Sequence, residues 1–352
     1  MTMPNPHNSE TVEVYTQKPP AALLRLLSAH LPHSLSLLRR LQFTKFPGGV
    51  TEHARILFAS DAALLLPHPS LNGIGVATDE HRSFSAAYLD ISRGPETQMW
   101  MYSTLERCGH NSADRDEKTM EQRQNALGHA VSVLRTIRRL KNEYAAVPSH
   151  SSPLGPCVLA GTLSEALRIA LQDEAGIASG NVSPYDKWLL DVRNLPPPAD
   201  EREGRPLLDP WMRWGVVRRE DIPLVLIQSD ARQHNKESNR IMKEWRTVKL
   251  LPSMAITLED GTPIAWCFLG PDASLSSLHC EEPYRGRGFA KAVAVKLLKE
   301  RLRDYGGEDS TLCCAEVAQD NPSSQGVCKS LGGKIGWTVS WSTIDLDTVP
   351  MK

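Results

Sequence analysis

The sequence holds little that would bind a metal, cross a membrane or grip a nucleic acid. No Cys-x-x-Cys pair and no His-Glu-x-x-His occurs in its 352 residues, so no structural zinc site is expected. The seven cysteines are Cys108, Cys157, Cys267, Cys280, Cys313, Cys314 and Cys328. An odd number at irregular spacing makes a poor disulfide framework, and scattered thiols suit a reducing compartment. No apolar run approaches the ~20 residues of a membrane span. Met1 to Pro20 lacks the basic start and apolar stretch of a secretory signal, so a cytoplasmic location is expected. Without that signal the sequon Asn181-Val182-Ser183 reads as chance. Acids and bases nearly cancel, with a formal net charge of -1. That removes the basic excess of a dedicated nucleic-acid binder.

What is present suits a packed interior. Apolar residues make up 41% of the chain and charged ones 23%. The length suggests two domains. Residues 1–18 read as a flexible tail. Ala21 to Leu41 is leucine-rich and interrupted by Pro32, which predicts two short helices. Short apolar runs follow at Ile56 to Ala59, Ala63 to Leu66 and Ile74 to Ala77. Ser83 to Ile91 and Thr97 to Leu105 read as a hairpin joined through Ser92-Arg93-Gly94-Pro95. Glu121 to Tyr144 is predicted helical. Residues 146–210 hold nine prolines, so this stretch is expected as a connector, with one helix after the capping box Thr162-Leu163-Ser164-Glu165.

Residues 211–352 alternate more cleanly. Trp214 to Val217 is a predicted strand, Asp221 a cap for a short helix, and Lys236 to Lys249 a further helix. Ser253 to Leu258 and Thr262 to Leu269 flank Glu259-Asp260-Gly261, a hairpin signal. A strand from Ser274 to Cys280 then runs into Arg285-Gly286-Arg287-Gly288-Phe289-Ala290, where an amphipathic helix begins. Strand Thr311 to Val317, a helix from Pro322 to Leu331 and strand Trp337 to Ile344 complete the order.

A strand that ends in glycines at a helix N-terminus is an anion site. The first helical N–H groups lack partners, the helix dipole favours negative charge, and glycine lets a phosphate approach the backbone. Arg285 and Arg287 add positive charge. The dinucleotide pattern fails because Lys291 stands at its last glycine. The P-loop fails because Gly333-Lys334 is followed by Ile335.

What remains, Arg-x-x-Gly-x-Ala, resembles the Q/R-x-x-G-x-G/A turn of the GNAT acetyltransferase superfamily. Asp320-Asn321-Pro322-Ser323-Ser324 and Leu331-Gly332 are similar to that family's next conserved segment. The order of elements from 214 to 345 agrees, and the region looks most like the glycine-N-acyltransferase-like group and its fungal relatives. The resemblance implies an α/β (α+β) GNAT fold with a mixed central sheet flanked by helices. It implies two tandem halves: a degenerate one at 19–145 that would help form the acceptor pocket, and a catalytic one at 211–352 that alone carries the coenzyme A turn.

By the same resemblance the co-substrate is acetyl-CoA or another short acyl-CoA, with no metal. Leu278 and Cys280 would pair with the pantetheine arm, and an amide near Cys280 would polarise the thioester. Arg285, Gly286, Arg287, Gly288, Phe289 and Ala290 would hold the pyrophosphate, with Asn321 and Ser324 beside the pantetheine. The attacking amine must lose a proton, for which Glu281, His279 and Glu282 are the candidates, in that order. Cys328 stands where the family often has a tyrosine acid, and Gly333 where it has an aromatic. The leading expectation is an N-acetyltransferase acting on a small-molecule amine. A protein or peptide acceptor and a catalytically inactive coenzyme A binder are the alternatives.

Overall fold

The computed structural model describes residues 12–16, 18–61, 83–94, 96–107, 117–150, 152–197, 207–229 and 248–351. In chain order the first elements are β1 (Glu13–Thr16), α1 (Ala21–Ala29), α2 (Leu35–Gln42), β2 (Arg55–Ser60), β3 (Phe84–Leu89), β4 (Met99–Ser103), α3 (Glu117–Ala145), β5 (Cys157–Ser164), α4 (Glu165–Asp173) and β6 (Ser179–Asp191). Then come β7 (Met212–Gly215), α5 (Ile222–Ser229), β8 (Ser253–Leu258), β9 (Pro263–Leu269), β10 (Leu275–Cys280), α6 (Phe289–Arg301), α7 (Arg303–Gly306), β11 (Leu312–Val317), α8 (Pro322–Ser330) and β12 (Lys334–Asp345). They form two units. One comprises Met1–Thr44, Val50–Pro184 and Thr338–Lys352; the other comprises Lys45–Gly49 and Tyr185–Trp337.

In the first unit β1, β2, β3 and β4 pair antiparallel in that order. β5 joins β4 in parallel at Met99↔Ala160 and takes β12 antiparallel on its other side. The sheet is therefore mixed. Alternation along the strands sends neighbouring side chains to opposite faces. Leu57, Ala87, Leu89, Met99 and Met101 pack with Leu127, Ala130, Leu134 and Ile137 of α3. Ile56, Phe58, Phe84, Tyr88, Trp100 and Tyr102 pack with Leu23, Leu27, Leu38 and Leu41 of α1 and α2. Each face is covered by helices, so β3 is buried at every position.

Pro32 does separate α1 from α2, and the hairpin of β3 and β4 turns through Gly94 at φ +64°. Two expectations differ. The tail, 1–18, contributes β1, whose Glu13 to Thr16 pair with Phe58 to Arg55. The connector, 146–210, holds its expected helix as α4 but also carries β5 and β6. Its prolines mark the ends of strands: Pro153 and Pro156 precede β5, and Pro196 and Pro197 follow β6. Pro184 lies within the exposed first part of β6, where a missing backbone donor costs little. The runs Ala63 to Leu66 and Ile74 to Ala77 lie outside the described residues, as does most of the helix expected at Lys236 to Lys249.

In the second unit β7, β8, β9 and β10 form a four-stranded antiparallel sheet with β10 at its edge. The hairpin of β8 and β9 closes at Gly261, φ +89°, as its sequence signal predicts. Trp266 and Phe268 of β9 anchor one face with Val217 and Val225. β11 pairs antiparallel with β6, from Leu312↔Asp191 to Val317↔Asp186.

Candidate active site

Strand β10 holds the expected site residues Leu278, His279 and Cys280, and its irregularity begins at once. Ser276 lies opposite Phe268 and His279 opposite Trp266, so Ser277 and Leu278 together face the single residue Cys267. That is a β-bulge, and Ser277 takes the left-handed backbone at φ +50°. A bulge bends its strand and re-aims the residues beyond it. Just before β10, Ser274 forms an isolated parallel bridge with Cys314 of β11. Past that point β10 pairs with β9 and β11 with β6. Burial falls from the sealed Leu275 to partly exposed residues as far as Cys280.

Backbone direction matters along this open edge. The Glu281 N–H donates back to the Ile264 carbonyl at 2.8 Å. Alternation in an antiparallel pair then turns the Cys280 N–H and carbonyl away from β9. Arg285 lies on that side, its Nε donating to the Cys280 carbonyl at 3.0 Å.

A short 3₁₀ turn, Glu282–Tyr284, leads into the glycines. Gly286 and Gly288 sit at φ +78° and +85°, and an added Cβ at either would meet no atom within 4 Å. The turn is thus both left-handed and open. Gly288 caps α6 and supplies no side-chain hydrogen bond to the helix start. Arg287 reaches across to Asp209, Nη2 to Oδ2 at 2.8 Å, while its guanidinium lies 4.7 Å from the Phe289 ring centre. Phe289 is buried and anchors the helix start.

At the end of β10 the His279 Nε2 lies 3.5 Å from the Glu281 Oε1, and its ring tilts over Trp266 at 4.5 Å. The approach falls short of hydrogen-bond geometry, leaving Nε2 buried without such a bond. Burial lowers the His279 pKa from its ordinary value; Glu281 pulls it up and Arg285 pushes it down, and the net direction is downward. Burial also raises the Cys280 thiol. Glu282 is exposed in the 3₁₀ turn, apart from this pair.

The expected residues of α8 are used locally. The Asn321 Oδ1 accepts from the Ser324 N–H at 3.2 Å, and its Nδ2 donates to the Ser324 hydroxyl at 2.9 Å. Together they cap the helix. Cys328 is buried on α8, and burial pushes its thiol up to about 11. Gly333 has a steric reason: a Cβ there would stand 2.9 Å from the Cys328 carbonyl and 2.8 Å from Leu190. A side chain at that position would force Leu190 and the end of α8 to shift.

Sequence reasoning missed three neighbours of the site. Asp209 is remote in sequence and carries no motif. The bulge at Ser277 has no glycine to announce it. The third is a buried charged group beside the Ser274↔Cys314 bridge. There Lys187 Nζ sits 2.8 Å from Glu316 Oε1. Asp272 accepts from the Ser274 N–H at 3.2 Å and from its hydroxyl at 2.6 Å. Burial works against charge on Lys187, yet Cys314 and Glu316 outweigh it and hold its pKa above the lysine value. Burial and Glu316 raise Asp272. A charge within the apolar runs of β6 and β11 was the one available signal. Among the described residues no three His, Cys, Asp or Glu side chains could hold a metal, and no helix is long and apolar enough to cross a membrane.

Two family models match the chain. That of the N-terminal domain of the acyl-CoA N-acyltransferase verG matches residues 10–188. That of FR47-like proteins matches residues 256–342. Among solved structures, a Drosophila protein determined as a structural-genomics target aligns with a TM-score of 0.55 at 14% identity, over 96% of this chain and 99% of that one. A tandem GNAT protein from the clavulanic acid biosynthesis pathway, solved without acetyl-CoA, aligns at 0.46 and 12% identity, over 95% and 98%. A GCN5-related N-acetyltransferase from Sphaerobacter thermophilus aligns at 0.42 and 11% identity, over 95% and 96%. No curated protein sequence matches.

Proposed function

Because this chain belongs to the GNAT superfamily, with an N-terminal part of the verG acyl-CoA N-acyltransferase type, we propose that it transfers an acetyl group from acetyl-CoA directly to the amine of a small molecule. The observation that carries this reading is the parting of β10 from β11 at Ser274↔Cys314, which leaves a β10 edge with no strand beside it, leading to an open glycine turn.

In this reading the edge at Leu278 and Cys280 takes the pantetheine arm as if it were a neighbouring strand. The outward Cys280 N–H is the donor for the thioester carbonyl, where negative charge develops during attack. The N–H groups from Arg287 to Ala290 hold the pyrophosphate, with Arg285 and Gly286 completing the turn. Asn321 and Ser324, joined as a helix cap, present the end of α8 beside the pantetheine.

The amine's proton goes to the Glu281 and His279 pair, directly or through water. A lowered pKa keeps His279 neutral near pH 7, able to accept a proton, with Glu281 beside it to stabilise the charge that results. Glu282, in solvent, takes no part. Cys328 is a poor proton donor. A thiol pushed up to about 11 is a weaker acid than an ordinary thiol near 8.5. Solvent is the better source of the proton for departing coenzyme A, and Cys328 serves as packing.

Release of free coenzyme A thiol from acetyl-CoA, measured against a panel of small amines and a panel of peptides, tests the proposal. Turnover with a small amine supports it. Turnover confined to peptides replaces the acceptor class. Coenzyme A binding with no turnover in either panel leaves a binding protein instead of an enzyme.

A further inference from the structure

We propose that Trp211 is a stacking platform for the adenine ring at the nucleotide end of the acyl donor; this rests on the coenzyme A reading above. Trp211 is 51% exposed. Indole is the largest apolar side chain and is mostly buried in folded proteins, so its exposure asks for an explanation.

The local backbone holds it there. The Met212 N–H donates to the Asp209 carbonyl at 2.9 Å, closing a turn over Asp209-Pro210-Trp211-Met212. Asp at the first position and Pro at the second are favoured turn chemistry, and the proline ring fixes the backbone entering Trp211. The Arg213 guanidinium donates to the Pro210 carbonyl and braces the turn from its far side.

Two contacts fix where this turn lies. On one flank Asp209 binds Arg287 at 2.8 Å, immediately before the Gly288 cap of α6. On the other flank the Lys296 ammonium, two turns into α6, stands 5.3 Å from the Trp214 ring. Asp209 and Trp214 are thereby tied to the start of α6, and Trp211 lies between them in the chain. Asp209 and Trp211 are two residues apart, at most about 7 Å along the chain. That places an exposed indole within a nucleotide's length of the turn proposed to hold the pyrophosphate.

The ligand chemistry matches. Coenzyme A carries its adenosine on the far side of the pyrophosphate from the thioester. A purine presents a flat π face that an indole can cover without base-specific hydrogen bonds. Asp209, a carboxylate, would repel the donor's phosphates if it were free; bound to Arg287 it is neutralised and instead orients the turn.

The test compares two probes on the full chain by calorimetry: coenzyme A, and 4′-phosphopantetheine, which lacks the 3′-phosphoadenosine and one phosphate of the pyrophosphate. Trp211→Ala should weaken coenzyme A about tenfold and change 4′-phosphopantetheine by less than twofold. Trp211→Phe should recover most of the loss. An unchanged thermal midpoint in Trp211→Ala excludes misfolding as the cause. If Trp211→Ala binds coenzyme A as well as the wild type does, or weakens both probes equally, Trp211 is no adenine platform. Failure of the wild type to bind coenzyme A at all would overturn the coenzyme A reading itself, and this inference with it.

Discussion

Lys187 of β6 and Glu316 of β11 lie directly opposite one another in the strand register, with Nζ and Oε1 2.8 Å apart and both side chains almost sealed from water. A buried ion pair gains little overall, because desolvation offsets most of the attraction; breaking one side strands the other charge at a cost of about 3–5 kcal/mol. Lys187→Met alone should therefore destabilise strongly, whereas Lys187→Met with Glu316→Leu should recover most of that loss. Urea denaturation of both variants checks this. A double variant as unstable as the single one would mean that the pair does not act as a unit. Glu316 and Asp272 stand two residues from Cys314 and Ser274 respectively, so the cluster sits at the point where β10 and β11 part. Its service is to fix that point.

Gly288 offers a clean separation of stability from ligand binding. At φ +85° any side chain is strained, by about 1 kcal/mol. No atom lies within 4 Å to clash with a new Cβ. Aspartate at a helix N-terminus recovers part of the strain through the dipole. Gly288→Asp should stay folded, with a thermal midpoint close to wild type. Its charge would stand where the pyrophosphate is proposed to bind, so coenzyme A affinity should fall at least about tenfold, 1.4 kcal/mol. The neutral Gly288→Asn tolerates the left-handed backbone better and should lose less. Retained affinity in Gly288→Asp would remove the turn from the binding site.

What the sequence made legible was local. Pro32 between two leucine-rich stretches, Glu259-Asp260-Gly261 between two apolar runs, and the glycines before a helix each announce themselves within a few residues. The structure carries all three. What stayed hidden depends on partners remote in the chain. Asp209 means nothing until Arg287 folds back onto it. The bulge at Ser277 arises from register against β9 and has no signature of its own. Prolines misled for a similar reason: they say where a chain turns, not whether the segments between turns will find a sheet, as β5 and β6 do.

The identity of the base should be readable from pH. A histidine whose pKa is lowered is neutral at and above neutrality, so a rate that depends on it is flat there and falls only as pH drops through a value below 6.5. Glu281 raises the His279 pKa, so Glu281→Gln removes that pull. If His279 takes the proton, the acid limb of kcat/KM should move to lower pH in Glu281→Gln while the plateau survives. If Glu281 takes it, Glu281→Gln should abolish the plateau and His279→Gln should leave most of it. With an acceptor amine whose own pKa lies below 7, a wild-type rate still rising between pH 7 and 9 would exclude both as the limiting base.

The first unit should lose stability in acid through His30. This side chain is buried, with Nδ1 3.0 Å from the Tyr102 hydroxyl and 3.3 Å from the Arg107 Nη1. A guanidinium can only donate, so Nδ1 accepts and the ring is neutral with its proton on Nε2. Burial, then Arg107, then His33 lower the His30 pKa to about 4, and His33 is lowered too. In the unfolded chain both would titrate near 6.5. The unfolded state then binds more protons as pH falls, so stability is full above 6.5 and declines as pH drops from there toward 4. The slope is at most about 1.4 kcal/mol per pH unit for each group. The urea midpoint of the wild type should fall between pH 7 and pH 5. In His30→Gln it should start lower, because a buried partner of Tyr102 and Arg107 has changed, but fall less over the same interval. Equal falls in the two proteins would locate the acid sensitivity elsewhere.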